Sequence, residues 1–99
     1  MKYWILIAGW SLALFSFSWA QTSAERELAD RYFSDGEYES ALPLYQKLYK
    51  KDLEENTARR IVSSYEGLNE YGEALRFLDK VIKRDSKPIY PILKAGLLE

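Results

Sequence analysis

Residues 26–52, RELADRYFSDGEYESALPLYQKLYKKD, return 33 residues later as residues 59–85, RRIVSSYEGLNEYGEALRFLDKVIKRD. With residues 21–53 laid on 54–86, nine of the 33 aligned positions are identical: Arg26/Arg59, Tyr32/Tyr65, Glu37/Glu70, Tyr38/Tyr71, Ala41/Ala74, Leu42/Leu75, Lys47/Lys80, Lys50/Lys83 and Asp52/Asp85. Leu28/Ile61, Leu48/Val81 and Lys51/Arg84 differ conservatively. A period of 33 or 34 residues with helical spacing inside each unit marks stacked helix pairs, because each pair leaves an apolar face for its neighbour to cover. Such an array offers a surface that holds something rather than a pocket that transforms it.

Within the first unit, Thr22-Ser23-Ala24-Glu25 has the form of a capping box and predicts a helix opening at Thr22. Leu28, Ala29, Tyr32 and Phe33 then recur at helical spacing. Asp35-Gly36 predicts the stop, glycine being the residue most tolerant of the left-handed conformation that ends many helices. A second helix is expected from about residue 37 to 51, with Tyr38, Ala41, Leu42, Tyr45, Leu48 and Tyr49 on its apolar side. Pro43 falls about one and a half turns into it, where a slight bend is expected rather than a break. After a short polar connection over residues 52–56, Ala58, Ile61, Val62 and Tyr65 mark a third helix ending near Gly67. Asn69 takes the place of Gly36. A fourth helix covers about residues 70–84, with Tyr71, Ala74, Leu75, Leu78, Val81 and Ile82 inward. Lys87-Pro88 separates it from residues 89–99, helical in character, which read either as the start of a third repeat or as a terminal helix; their apolar character on several sides favours the former.

The pattern resembles the tetratricopeptide repeat family over residues 22–86. Leu28 and Ala29 resemble the leucine and small residue of the family's first helix, Tyr32 its aromatic, and Gly36 with Tyr38 its turn and staple. Ala41, Tyr45 and Leu48 resemble the contacts of the second helix. In the second unit the same places hold Ile61, Val62, Tyr65, Asn69, Tyr71, Ala74, Leu78 and Val81. Antiparallel helices approach to roughly 8–10 Å only where a small side chain sits at the crossing, which is the expected role of Ala41 and Ala74. The unit is one residue short of the family's, and Leu53 and Ser86 stand where it often has proline. The resemblance implies an all-α fold of antiparallel helix hairpins, about 22–53 and 55–86, stacked as an α-solenoid. It also implies a concave face lined by the first helix of each pair that takes an extended peptide or a partner helix. Carried over, the groove positions are Ser23, Arg26, Asp30 and Phe33, then Asn56, Arg59, Ser63 and Glu66. Asp30 departs from the asparagine of the members that clamp a terminal carboxylate, so that role is not expected.

Residues 1–20 read as a signal peptide: Lys2 supplies a positive start, residues 3–17 are almost wholly apolar, and Ser18-Trp19-Ala20 places small residues where a signal peptidase reads. An uncleaved anchor is the competing reading, since the run is nearly long enough to span a bilayer of roughly 30 Å. All three tryptophans fall in this segment, and the remaining 79 residues carry 13 basic and 15 acidic side chains, a net charge of −2. That balance argues against a nucleic-acid partner. Without cysteine, no disulfide, thiol nucleophile or lipidated cysteine is available, and an exported chain of this kind suits a bacterial periplasm.

Histidine is absent as well, which removes the commonest general base and soft metal ligand. No glycine-rich phosphate loop is present, and Glu37-Tyr38-Glu39 and Glu54-Glu55 are the charges expected at helix starts. Neither an enzyme nor a cofactor or metal site is expected. Lys47, Lys50 and Lys51, with Lys80, Lys83 and Arg84, form a repeated basic strip that suits the negative ends of two helix dipoles; anionic lipid or acidic partners are the functional alternative. The sequence thus predicts a protein-binding scaffold of an exported protein. A membrane-tethered assembly factor and the extracytoplasmic sensor domain of a longer protein are its alternatives.

Overall fold

The computed structural model describes residues 22–98; the expected signal segment lies outside them. Five helices and no strand occur among the described residues. They are α1 (residues 22–34), α2 (Tyr38–Asp52), α3 (Glu55–Gly67), α4 (Tyr71–Arg84) and α5 (Ile89–Leu98). α1 is helical from Thr22, the first described residue, and the residue before it, which decides whether the expected capping box marks the start, lies outside the described residues.

Both tight turns use the residues that tolerate them. Gly36 has φ 77° and Asn69, 33 positions on, φ 59°, and each turn closes with the same backbone bond: Glu37 N–H to Tyr32 O and Glu70 N–H to Tyr65 O, both 2.8 Å. These bonds satisfy carbonyls that a helix end otherwise leaves unpaired. The connection between α2 and α3 is shorter than the expected residues 52–56, because Asp52 ends one helix and Glu55 begins the next. Leu53 turns the chain there at φ 52°, an uncommon conformation for a residue with a bulky side chain; its N–H bonds to Tyr49 O at 2.8 Å. Pro43 sits inside α2 on its exposed side.

Contacts fix the helix directions. Phe33 meets Tyr38, Asp30 meets Tyr45 and Glu25 meets Lys47, so rising numbers in α2 face falling numbers in α1 and the pair is antiparallel. Between α2 and α3, Tyr38 lies on Gly67 and Gln46 Nε2 donates to Tyr65 Oη at 2.9 Å, again antiparallel. Arg26 meets Thr57 and Phe33 meets Arg60, so α1 and α3 run side by side in the same direction. α5 packs on α4, where Lys94 pairs with Asp79 at 2.7 Å.

The core follows the expected apolar faces. Ala41 and Ala74 are both 0% exposed, and Ala29, Tyr45, Leu48, Tyr49, Ala58, Ile61, Val62, Leu78, Val81 and Tyr90 are buried with them. Tyr32, Phe33, Tyr65, Phe77 and Ile82 pack against this core half-buried. Burial of this kind contributes roughly 25 cal/mol per Å² of apolar surface removed from water, the term that holds a helical domain together. Tyr49 in α2 and Phe77 in α4 add an edge-to-face pair at 5.4 Å, about 0.5–1.5 kcal/mol beyond their area.

Two expected core positions are corrected. Leu28 is 37% exposed, although its counterpart Ile61 is fully buried: Ile61 has α2 on one side and α4 on the other, whereas no described element flanks α1 on its far side. Tyr71 is 49% exposed instead of inward. Its counterpart Tyr38 is shielded by Phe33 and by the bare backbone of Gly67, whereas the place of Phe33 in the second unit is held by Glu66, which is exposed.

Candidate functional site

Because α1 and α3 run in the same direction, their side chains at matching heights face each other across a groove of about 490 Å³. Arg26 and Asp30 line it from α1, and Asn56, Arg59, Arg60 and Ser63 from α3. The spacing explains the assembly: 26 and 30 are one turn apart on α1, while 56, 59, 60 and 63 follow the three-and-four rhythm of a single face of α3. Of the carried-over positions, Arg26, Asp30, Asn56, Arg59 and Ser63 are therefore brought together.

Arg26 is anchored. Its Nη1 donates to Thr57 Oγ1 at 3.2 Å and its Nη2 lies 3.5 Å from Glu54 Oε2. Thr57 is wholly buried, so this bond satisfies a hydroxyl oxygen that would otherwise be costly to desolvate. Asp30 is also engaged, since Tyr45 Oη donates to its Oδ1 at 2.5 Å. Burial first, and then this bond, push the Tyr45 phenol above its ordinary value. Arg59 lines the groove, is exposed and makes no ion pair among the described residues.

Phe33 and Glu66 do not line the groove. The Arg60 guanidinium sits 4.3 Å from the Phe33 ring centre, a cation–π contact worth about 0.5–1 kcal/mol at an exposed site. Phe33 also packs edge-on against Tyr38 and Tyr45 and so belongs to the packing beneath the groove. Glu66, in the last turn of α3, is exposed beyond it. Arg60 is the lining residue that sequence reasoning missed: it aligns with Glu27, so the internal echo gives it no weight. The signal that would have found it is its place one residue after Arg59, on a helix whose opposite face is apolar.

At the edge of this region, Lys47 Nζ donates to Glu25 Oε1 at 2.7 Å and closes α2 onto α1. That bond holds the Glu25 carboxyl below its ordinary value against the opposing effect of burial. The groove accordingly carries three arginines against one carboxylate that is already hydrogen-bonded. It has donors to hold carboxylates or backbone carbonyls, and no nucleophile paired with a base. Among the described residues no group of His, Cys, Asp or Glu gathers as a metal-ligand set, and no helix is long and apolar enough to cross a membrane.

Comparison with models of protein families, with curated proteins and with solved structures finds no match to this chain.

Proposed function

We propose that the chain is a tetratricopeptide-like interaction module of an exported protein, periplasmic in setting, which binds a peptide or a partner helix in the groove between α1 and α3. The observation that carries this reading is the convergence of Arg26, Asn56, Arg59 and Ser63 in one groove, at the positions the repeat pattern assigns to partner contact. The matched left-handed turns at Gly36 and Asn69 and the matched buried alanines support two hairpins of one design. In this reading residues 1–20 direct export, and residues 89–98 begin a further unit.

Binding then rests on shape and on a few donors aimed into the groove, with no cofactor. Arginine suits the task because its planar fork meets a carboxylate or carbonyl at a fixed angle. Arg59 is the residue to perturb, because Arg26 also satisfies Thr57 and Glu54 and its loss mixes binding with folding. Crosslinking capture from the native compartment, with wild type and Arg59→Glu in parallel, tests the proposal. Loss of captured partner with unchanged helical circular dichroism supports it; equal capture by both proteins moves the site elsewhere.

A further inference from the structure

A second groove lies on another side of the molecule, between α2, α3 and α4. It also measures about 490 Å³, and it differs in chemistry from the first. Its floor is aromatic: Tyr49 is buried, Tyr65 and Phe77 are half-buried, and Tyr49 and Phe77 meet edge to face. Its rim is cationic, formed by Lys50, Lys80 and Arg84.

The structure divides the basic strip seen in the sequence. Lys47 is tied to Glu25, and Lys51 and Lys83 do not line the groove. Lys50, Lys80 and Arg84 do line it, and none makes an ion pair among the described residues. Arg76 is also at the rim, but Glu73 takes it at 2.9 Å. Three unpaired cations around one aromatic hollow stand out in a chain whose overall net charge is −1. Helix dipoles account for Lys50 and Arg84, which fall in last turns, and less for Lys80, which stands just before the last turn of α4.

We infer that this groove is a second docking site, for an acidic peptide segment of another protein that inserts one bulky apolar side chain over Tyr49 and Phe77 and sets flanking carboxylates against Lys50, Lys80 and Arg84. Charge complementarity selects the acidic flanks, and the aromatic floor selects the apolar anchor. A peptide fits better than a membrane surface because the aromatics lie at the bottom of a concavity. A bilayer is engaged by apolar side chains that project outward from a basic face. The site does not depend on the α1–α3 groove.

The test is fluorescence anisotropy of a labelled peptide, Asp-Asp-Phe-Asp-Glu, with the purified chain at low salt. The same peptide with Ser for Phe, the same with Lys for each acid, and phosphatidylglycerol vesicles serve as comparisons. Saturable binding of the first peptide is expected, weaker by about tenfold or more in either altered peptide and in the Lys80→Glu/Arg84→Glu variant, and unaffected by Arg59→Glu. Amide chemical-shift mapping on the wild-type chain is expected to move residues 49, 77, 80 and 84 and to spare 56, 59 and 63, a readout that does not depend on how the variant folds. Absence of peptide binding, binding indifferent to the Phe or to Lys80 and Arg84, shifts centred on the α1–α3 groove, or capture of vesicles in preference to peptide would each overturn the inference.

Discussion

Replacing Gly67 with alanine should destabilise this protein, against the ordinary rule for glycine in a helix. Alanine normally gains about 0.5–1 kcal/mol at such a place, toward the lower figure at a helix end such as this. Here the new methyl group would overlap the Tyr38 ring, at its edge and also at Cγ, near the stem where the side chain has least room to swing. Phe33 holds the same ring edge-on at 5.4 Å, so it cannot tilt without disturbing a second aromatic contact. Overpacking of this kind costs about 1–3 kcal/mol, which outweighs the propensity gain and leaves a net loss near 1 kcal/mol. For a domain of this size that is roughly 4–8 °C in Tm. A thermal double-mutant cycle isolates the contact: Gly67→Ala should lower Tm in the wild type and raise it slightly in Tyr38→Ala. If it raises Tm equally in both backgrounds, Tyr38 does not rest on α3, and the packing of the first hairpin against the second is wrong.

Ala41→Leu or Ala74→Leu should cost about 1–3 kcal/mol by overpacking a helix crossing, visible as a lower melting temperature without loss of helix before the transition. Tyr90→Phe should leave stability unchanged or raise it in urea denaturation, since the buried Tyr90 hydroxyl has no hydrogen-bond partner among the described residues. Because Lys47 lowers the Glu25 carboxyl in the folded state, that pair stabilises the protein above the ordinary value near 4.5. The contribution fades as pH falls through the lowered folded value, so denaturation midpoints for wild type and Glu25→Gln should converge in acid and separate at neutral pH. The Tyr45 phenol runs the other way: raised from 10.0, it favours the folded state below that pH and loses the contribution as pH rises through its folded value. Denaturation midpoints for wild type and Asp30→Asn should therefore separate at neutral pH and draw together as pH rises above 10.0, because the substitution removes the bond and the negative charge that help to raise the phenol.

What was legible in the sequence is what repeats. Gly36 and Asn69 are left-handed and Ala41 and Ala74 are buried because short-range chemistry dictates both: a turn needs a residue without steric penalty, and a crossing needs a small one. Arg26, Asp30, Asn56, Arg59 and Ser63, which the family resemblance implied as groove positions, share a groove because their helical spacing keeps them on one side of α1 and of α3. The misreadings arise where environment, not residue type, decides. Tyr38 and Tyr71 are the same amino acid in the same local frame, yet only Tyr38 has a glycine backbone to cover it. Arg60 found Phe33 through packing of one helix on another, which no spacing within a single unit encodes. Leu53 adopts a left-handed turn because two helices must meet across two residues, a tertiary demand that overrides its preference.

The central claim is that partners enter between α1 and α3, and a photoreactive side chain placed there tests it most directly. A benzophenone amino acid at Ser63, inside the groove, should crosslink a discrete protein partner in the native compartment, and the adduct should vanish with Arg59→Glu. The same probe at Glu39, exposed on α2 and outside both grooves, should yield none. Equal adducts at both positions, or an adduct at Glu39 alone, would contradict the account.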